Sequence, residues 1–271
     1  MITRGLHPFG IEVKAIDLRR VTAEDCHTLV DLLGQHGVVI VCGQHVSDHE
    51  FAEFLSRLGP LTFTKGETAV AHCTNLNVVS NINRDTPPRS VFHTDTSYVE
   101  HTPAFTALKP IHLPDAGGDT LFTNQYDAYD RLPRELKSDL EFAEVLHVAT
   151  GVNLAPEDET CHWHPLFRTH PITGRKALFL TTPERCAAIR KTTHPDVHKL
   201  IGTLYADSTR SQFVLRHRWR RGDIVLWDNR CTMHRGDHSE VVGSRVMHRG
   251  LILDKDASAT QTTPPLQSAG V

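Results

Sequence analysis

His93-Thr94-Asp95, then His234 far along the chain, then Arg245 and Arg249 four residues apart, set residue types that bind metals beside residue types that bind anions. Two imidazoles and one carboxylate can occupy one face of an octahedral Fe(II), leaving the opposite positions open for a chelating co-substrate and for O₂. The tripeptide alone decides little. With 19 His and 32 acidic residues in 271, a His-x-acid match is expected about twice by chance.

The chain contains three such matches. His194-Pro195-Asp196 opens a stretch in which Val197, Leu200, Ile201, Leu204 and Tyr205 recur at helical spacing, so a helix start explains it. His238-Ser239-Glu240 lies between Gly236 and Gly243 in a polar stretch that reads as a solvated loop. His93 differs in its neighbours. Val91, Phe92, Tyr98 and Val99 are strand-type residues, and in extended chain His93 and Asp95 project to one face, where both can meet one ion.

The elements that would position these groups follow from the apolar pattern. A strand is expected at 10–18, a helix at 23–34 with Thr22 as N-cap, a strand at 38–42, and a helix at 48–58. Ser47 and Glu50 form a capping box for that second helix, and Phe51, Phe54 and Leu55 are its buried stripe. Short strands are expected at 76–81, 90–98, 104–109, 119–123, 145–150, 176–180, 212–217, 223–227 and 245–253, with helices at 125–140 and 195–206. Many short strands with a few helices predict a mainly β fold with helical layers, of the sandwich or jelly-roll type. One domain is expected over 1–255, with 256–271 as a disordered tail.

Composition excludes several classes. A net charge of −3 and a pI near 6.7 leave no electrostatic footprint for nucleic acid or an acidic membrane surface. No apolar run is long enough to span a bilayer, and the amino terminus has no apolar signal core, so a soluble, cytoplasmic protein is expected. The six cysteines form no Cys-x-x-Cys pair, which indicates neither a disulfide framework nor a zinc knuckle.

Several motifs in order resemble the Fe(II)/2-oxoglutarate-dependent dioxygenases of the taurine and aryloxyalkanoate dioxygenase (TauD/TfdA) family. They are Val38-Val-Ile-Val-Cys-Gly43, His93-Thr-Asp95, Gly117-Gly-Asp-Thr-Leu-Phe122, His164-Pro165, Arg168-Thr-His-Pro171 with Gly174-Arg-Lys-Ala-Leu-Phe179, Gly222-Asp-Ile-Val-Leu-Trp-Asp-Asn-Arg230, His234, and Arg245-Val-Met-His-Arg249. The resemblance covers nearly the whole chain. It implies a double-stranded β-helix (jelly roll), with His93, Asp95 and His234 as ligands of Fe(II). Arg245 and Thr120 would take the distal carboxylate of 2-oxoglutarate. Arg249 would take an anionic group of the substrate, and Tyr98 would be the aromatic of the substrate site near the iron. Asp95 argues for oxygen transfer, because halogenating relatives have a small residue there. A homo-oligomer, dimer or tetramer, is also expected.

Departures from the family pattern bear on the substrate. Where taurine-using members have a His and a Tyr, this chain has Thr64 and Glu67, and an Asn that helps hold the amine falls near Pro88 or Arg89. A small anionic substrate other than taurine is therefore expected, hydroxylated at a C–H bond with release of succinate and CO₂. A tailoring oxygenase acting on an amino acid, nucleotide or other polar acid is the alternative within the class. Outside it stand a zinc hydrolase using the same three ligands and a non-catalytic jelly-roll binding module. Trp227-Asp228-Asn229-Arg230 reads as scaffold that ties a strand end to the turn presenting His234, and His162, His164 and His170 as structural or surface histidines.

Overall fold

The computed structural model describes residues 1–82 and 90–255. The expected tail and the positions near Pro88 and Arg89 lie outside the described residues. Strands β1 (Ile2–Gly5) and β2 (Ile11–Lys14) form a hairpin and are followed by helix α1 (Ala23–His36), strand β3 (Val38–Val41) and helix α2 (Asp48–Leu58). Both helices start on complete capping boxes, Thr22 with Asp25 and Ser47 with Glu50. Next come β4 (Leu61–Thr62), β5 (Ala69–Val70), β6 (Cys73–Ser80), β7 (Phe105–His112) and β8 (Thr120–Asn124). Helices α3 (Gln125–Asp130) and α4 (Arg134–Asp139) precede β9 (Glu144–Val148), β10 (Cys161–Pro165), β11 (Phe167–Thr169), β12 (Lys176–Leu178) and β13 (Cys186–Arg190). Helix α5 (Val197–Ser208) leads into β14 (Val214–His217), β15 (Ile224–Asp228), β16 (Thr232–Gly236) and β17 (Val246–Ile252).

The large sheet runs β1-β2-β3-β15-β7-β17-β6-β5, with β4 also paired to β17, and a small sheet runs β14-β8-β16. Together they are the two walls of a jelly roll. Val38 and Ile40 of β3, Leu108 of β7, Val225 and Trp227 of β15 and Met247 of β17 pack against Phe122 and Leu215 of the small sheet. The alternate residues of the same strands, Val39, Val41, Ile224 and Leu226, face Leu29, Leu33, Phe51, Phe54 and Leu55 of α1 and α2. These strands are buried on both faces, which explains why they read as continuous apolar runs rather than alternating ones. A third cluster joins Leu121 and Met233 on the outer side of the small sheet to α5 through Leu200, Ile201 and Leu204.

Two expectations need correction. The segment 90–98 is not a strand: it makes one isolated antiparallel bridge, His93 to His234, and then turns from Asp95 to Tyr98 with Thr96 at φ 45°. The expected helix at 125–140 is two short helices, because Pro133 lacks an N–H and disfavours helical geometry at Leu132. His194-Pro195-Asp196 behaves as expected, with the Asp196 side chain capping α5 through the Lys199 N–H.

Candidate active site

The bridge between the two chain segments builds the metal-type site. His93 N–H donates to His234 O and His234 N–H to His93 O, each at 3.0 Å, which sets the two imidazoles side by side with ring centroids 4.4 Å apart. Asp95 arrives through the turn rather than along a strand. Thr94 anchors that turn by donating from Oγ1 to Leu180 O at 2.8 Å. His93 Nε2 lies 3.8 Å from Asp95 Oδ1 and His234 Nε2 lies 3.8 Å from Asp95 Oδ2. The three donor atoms all fall within 4.8 Å of one another, a span that one ion can draw together.

The protonation states suit a divalent cation. Burial pushes His93 down, and pushes His234 down to about 3, so both rings are neutral. Burial works against the Asp95 carboxylate, but Arg249 and the two imidazoles outweigh it and hold Asp95 at about 2. Two neutral imidazoles and an ionised carboxylate are the forms that ligate metal. His93 Nδ1 donates to Val91 O at 2.9 Å, which leaves the Nε2 lone pair facing Asp95. His234 is held by its rings, 4.4 Å from Trp227 and 6.3 Å from Phe122.

Asp95 is in turn oriented from the large sheet. Thr106 on β7 donates its hydroxyl to Asp95 Oδ2 at 2.8 Å, Asn229 Nδ2 donates to Thr106 Oγ1 at 2.8 Å, and Trp227 Nε1 donates to Asn229 Oδ1 at 3.0 Å. Asp228 does the tying expected of it. Its carbonyl accepts from Cys231 N–H and Thr232 Oγ1, and its carboxylate is shared by Arg230 and His170. Asn229 does something else, since it belongs to the Asp95 support. Cys231 groups with His170 and Asp228, not with His234, and its buried thiol is pushed well up.

Arg245 stands just before β17, 3 % exposed, with Nε donating to Gly118 O at 2.9 Å and Nη2 to Thr120 Oγ1 at 3.4 Å. No carboxylate among the described residues lies within ion-pair distance of it. Burial pushes its guanidinium down to about 10, with Asp119 acting in the opposite sense, so it remains charged, with no direct counter-ion among the described residues. A buried cation of this kind calls for an anion from outside the chain. Thr120 Oγ1 also accepts from Trp219 Nε1 at 2.9 Å, which leaves its own hydrogen free to donate. Gly117 and Gly118 both have positive φ, and a Cβ on Gly118 would come within 3.0 Å of Arg245 Cδ.

Arg249 faces the same cavity from β17, whereas His248, its neighbour on the strand, points away to Asp48. Its guanidinium is already engaged: Nη1 donates to Asp95 Oδ1 at 3.0 Å, and Nη2 to Thr64 Oγ1 at 3.1 Å and Glu67 Oε2 at 2.5 Å. Within the chain, Arg249 is thus paired with two carboxylates, those of Asp95 and Glu67. Tyr98 lines the cavity, 5 % exposed, and burial pushes its phenol up. The cavity measures about 250 Å³ and contains the three metal-type ligands, Thr120, Arg245, Arg249 and Tyr98.

Some of its residues were not anticipated. Arg185 lines it while donating from Nε and Nη2 to Thr150 Oγ1 and O at 2.9 Å, and Thr106 supports Asp95 from a strand with no distinguishing motif. The other histidines named from the sequence lie outside this cavity's ligand cluster. His164 packs against His162 and His147 and donates to Val99 O, and His170 donates to Asp228, so these serve the scaffold.

Comparison with known proteins gives concordant results. A model of the family described as "Taurine catabolism dioxygenase TauD, TfdA family" matches residues 3–251. The alpha-ketoglutarate-dependent 2,4-dichlorophenoxyacetate dioxygenase of Cupriavidus pinatubonensis is 29 % identical over 284 residues, spanning 94 % of this chain and 98 % of that one. An alkylsulfatase of Acinetobacter baylyi is 28 % identical, spanning 93 % of this chain and 89 % of its own. Among solved structures, AAD-2 in complex with Mn(II) and N-oxalylglycine superposes with a TM-score of 0.81 at 25 % identity, covering 93 % of this chain and 97 % of that one. A taurine dioxygenase from Burkholderia xenovorans gives the same TM-score and identity, covering 93 % and 90 %.

Proposed function

The chain belongs to the TauD, TfdA family of taurine catabolism dioxygenases and is a 2-oxoglutarate-dependent dioxygenase, and from that premise we propose the roles of its residues. His93, Asp95 and His234 hold Fe(II), Arg245 and Thr120 hold the distal carboxylate of 2-oxoglutarate, and Arg249 and Tyr98 face a small acid other than taurine. When bound, Fe(II) supplies the redox chemistry that couples O₂ and decarboxylation of the 2-oxo acid to oxidation of a substrate C–H bond, with succinate and CO₂ as co-products.

The observation that carries this reading is the buried, acid-free guanidinium of Arg245 beside a three-ligand cluster. A metal-only site gives Arg245 no reason to be there, which disfavours a zinc hydrolase. A dicarboxylate co-substrate gives it one: one end can chelate the ion while the other meets Arg245 and the Thr120 hydroxyl. The chain's own contribution is positioning and water exclusion. Asp95 is fixed by Thr106 and Arg249, His93 by Val91, and His234 by Trp227, so the ligands need little reorganisation on binding.

Anaerobic titration with Fe(II) and then 2-oxoglutarate tests the reading through the visible metal-to-ligand charge-transfer band. The band is expected in the wild-type protein, absent in His93→Ala, and formed only at much higher 2-oxoglutarate in Arg245→Ala. Folded, metal-loaded wild-type protein that gives no band would sink the assignment.

A further inference from the structure

Arg249 meets the cavity with its best anion-binding geometry already in use. A guanidinium grips a carboxylate or sulfonate in two-pronged fashion through Nη1 with Nη2, or through Nε with Nη2, and either edge needs an Nη2 hydrogen. Here Nη2 donates to both Thr64 Oγ1 and Glu67 Oε2. What remains is Nε, buried without a partner among the described residues, and one hydrogen of Nη1, which do not share an edge. An incoming anion can take single bonds from these donors, or it must displace Glu67.

Charge points the same way. Of the two carboxylates that Arg249 meets, Asp95 belongs to the metal-type cluster and Glu67 does not, and the Glu67 side chain is one-third exposed while that of Arg249 is 10 % exposed. Any ligand that reaches Arg249 therefore passes close to the Glu67 carboxylate, which lines the same cavity. A purely anionic ligand meets like charge there, whereas a protonated nitrogen finds an acceptor.

We propose that Glu67 is a specificity-determining residue and that the substrate is a zwitterion, an organic acid that also carries a protonated nitrogen. Its anion takes the remaining donors of Arg249, and its ammonium is accepted by Glu67 Oε1 while Oε2 stays on Arg249. This rests on the dioxygenase reading above and narrows its substrate class.

The test uses matched acids with and without an amine: 3-aminopropane-1-sulfonate and propane-1-sulfonate, β-alanine and propionate, 6-aminohexanoate and hexanoate. Each is titrated calorimetrically into full-length protein loaded with Mn(II) and N-oxalylglycine, for wild type and Glu67→Gln. In wild type at least one amino acid of the set is expected to bind tighter than its deaminated partner by roughly tenfold or more. Glu67→Gln, which keeps the side-chain shape and removes the charge, is expected to collapse that ratio toward one. Equal binding within every pair, a preference that survives in Glu67→Gln, or failure of every amine-bearing probe to bind wild type overturns the proposal. Binding of N-oxalylglycine itself, and the Fe(II)–2-oxoglutarate band, report on the parent reading separately. Both are expected to persist in Glu67→Gln, whose thermal melt serves as the folding control.

Discussion

Thr106 donates its hydroxyl hydrogen to Asp95 Oδ2 at 2.8 Å while accepting from Asn229 Nδ2 at the same distance, so the carboxylate of the metal-type cluster is oriented by a residue 11 positions away and another in the turn that follows the neighbouring strand β15. Asn229 is itself fixed by the indole N–H of Trp227, whose ring lies tilted at 46° to that of His234 with centroids 4.4 Å apart. One short network thus reaches both Asp95 and His234.

Removing the middle of that network should weaken metal binding without unfolding the chain. Thr106→Val keeps the shape and deletes the donor to Asp95, and losses of about 10- to 100-fold in metal affinity are typical when such outer partners are removed. Titration with Mn(II), followed by the electron paramagnetic resonance signal of the free ion, checks this. Unchanged affinity would mean that Arg249 alone suffices to orient Asp95.

Arg245 should not be replaceable by lysine. Its Nε bond to Gly118 O fixes the plane of the fork, and a lysine ammonium reproduces neither that bond nor two-pronged contact with a carboxylate. Truncating one partner of a buried charge pair costs about 2–5 kcal/mol. Arg245→Lys is therefore expected to raise the 2-oxoglutarate concentration needed for the charge-transfer band by at least about thirtyfold, with Mn(II) affinity intact. Recovery of near wild-type behaviour by lysine would show that charge alone matters at this position.

How much of this was legible before folding depends on the range of the interactions. Val38 to Val41 and the Ser47–Glu50 box are local signals, and the corresponding strand and helix appear where expected. The membership of the cluster was also legible, because His93, Asp95 and His234 sit in ordered motifs and the structure brings their donor atoms within 4.8 Å of one another. The way they meet was not. Val91, Phe92 and Tyr98 have strand-type side chains, but among the described residues the segment has a pairing partner only at His93, so it turns instead of extending. Thr106 carried no signal at all. Its place beside Asn229 follows from the pairing of β7 with β15, in which Thr106 opposes Trp227, and the spacing between them is more than a hundred residues.

The Asp228 cluster should show its contribution as a loss of stability in acid. Burial opposes its ionisation, but Arg230 and the His170 bond hold the carboxyl far below the ordinary range. A folded pKa below the unfolded one contributes stability that is complete above the unfolded pKa, about 3.9, and disappears as pH falls toward the folded value. Asp228→Asn is expected to cost about 3–5 kcal/mol near neutral pH, as for other broken buried pairs. The difference in thermal midpoint from wild type should stay level from pH 8 to 5 and narrow below about pH 4. A gap that does not narrow in acid would assign the loss to packing rather than charge.

Gly118 should tie backbone geometry to co-substrate affinity. Its φ of +78° favours glycine, and a Cβ there would lie 3.0 Å from Arg245 Cδ and 3.3 Å from Nε, on the aliphatic and donor portions of the side chain that Gly118 O holds. Gly118→Ala therefore strains the turn, by about 1 kcal/mol for a left-handed alanine, and also presses on Arg245. Because Asp95 and the two histidines take no support from this turn, Mn(II) affinity should be kept while the 2-oxoglutarate requirement rises severalfold. Thermal melts, Mn(II) titration and the charge-transfer titration separate these effects. A variant that melts earlier yet binds 2-oxoglutarate as well as wild type would show that Arg245 can shift without losing its grip on the carboxylate.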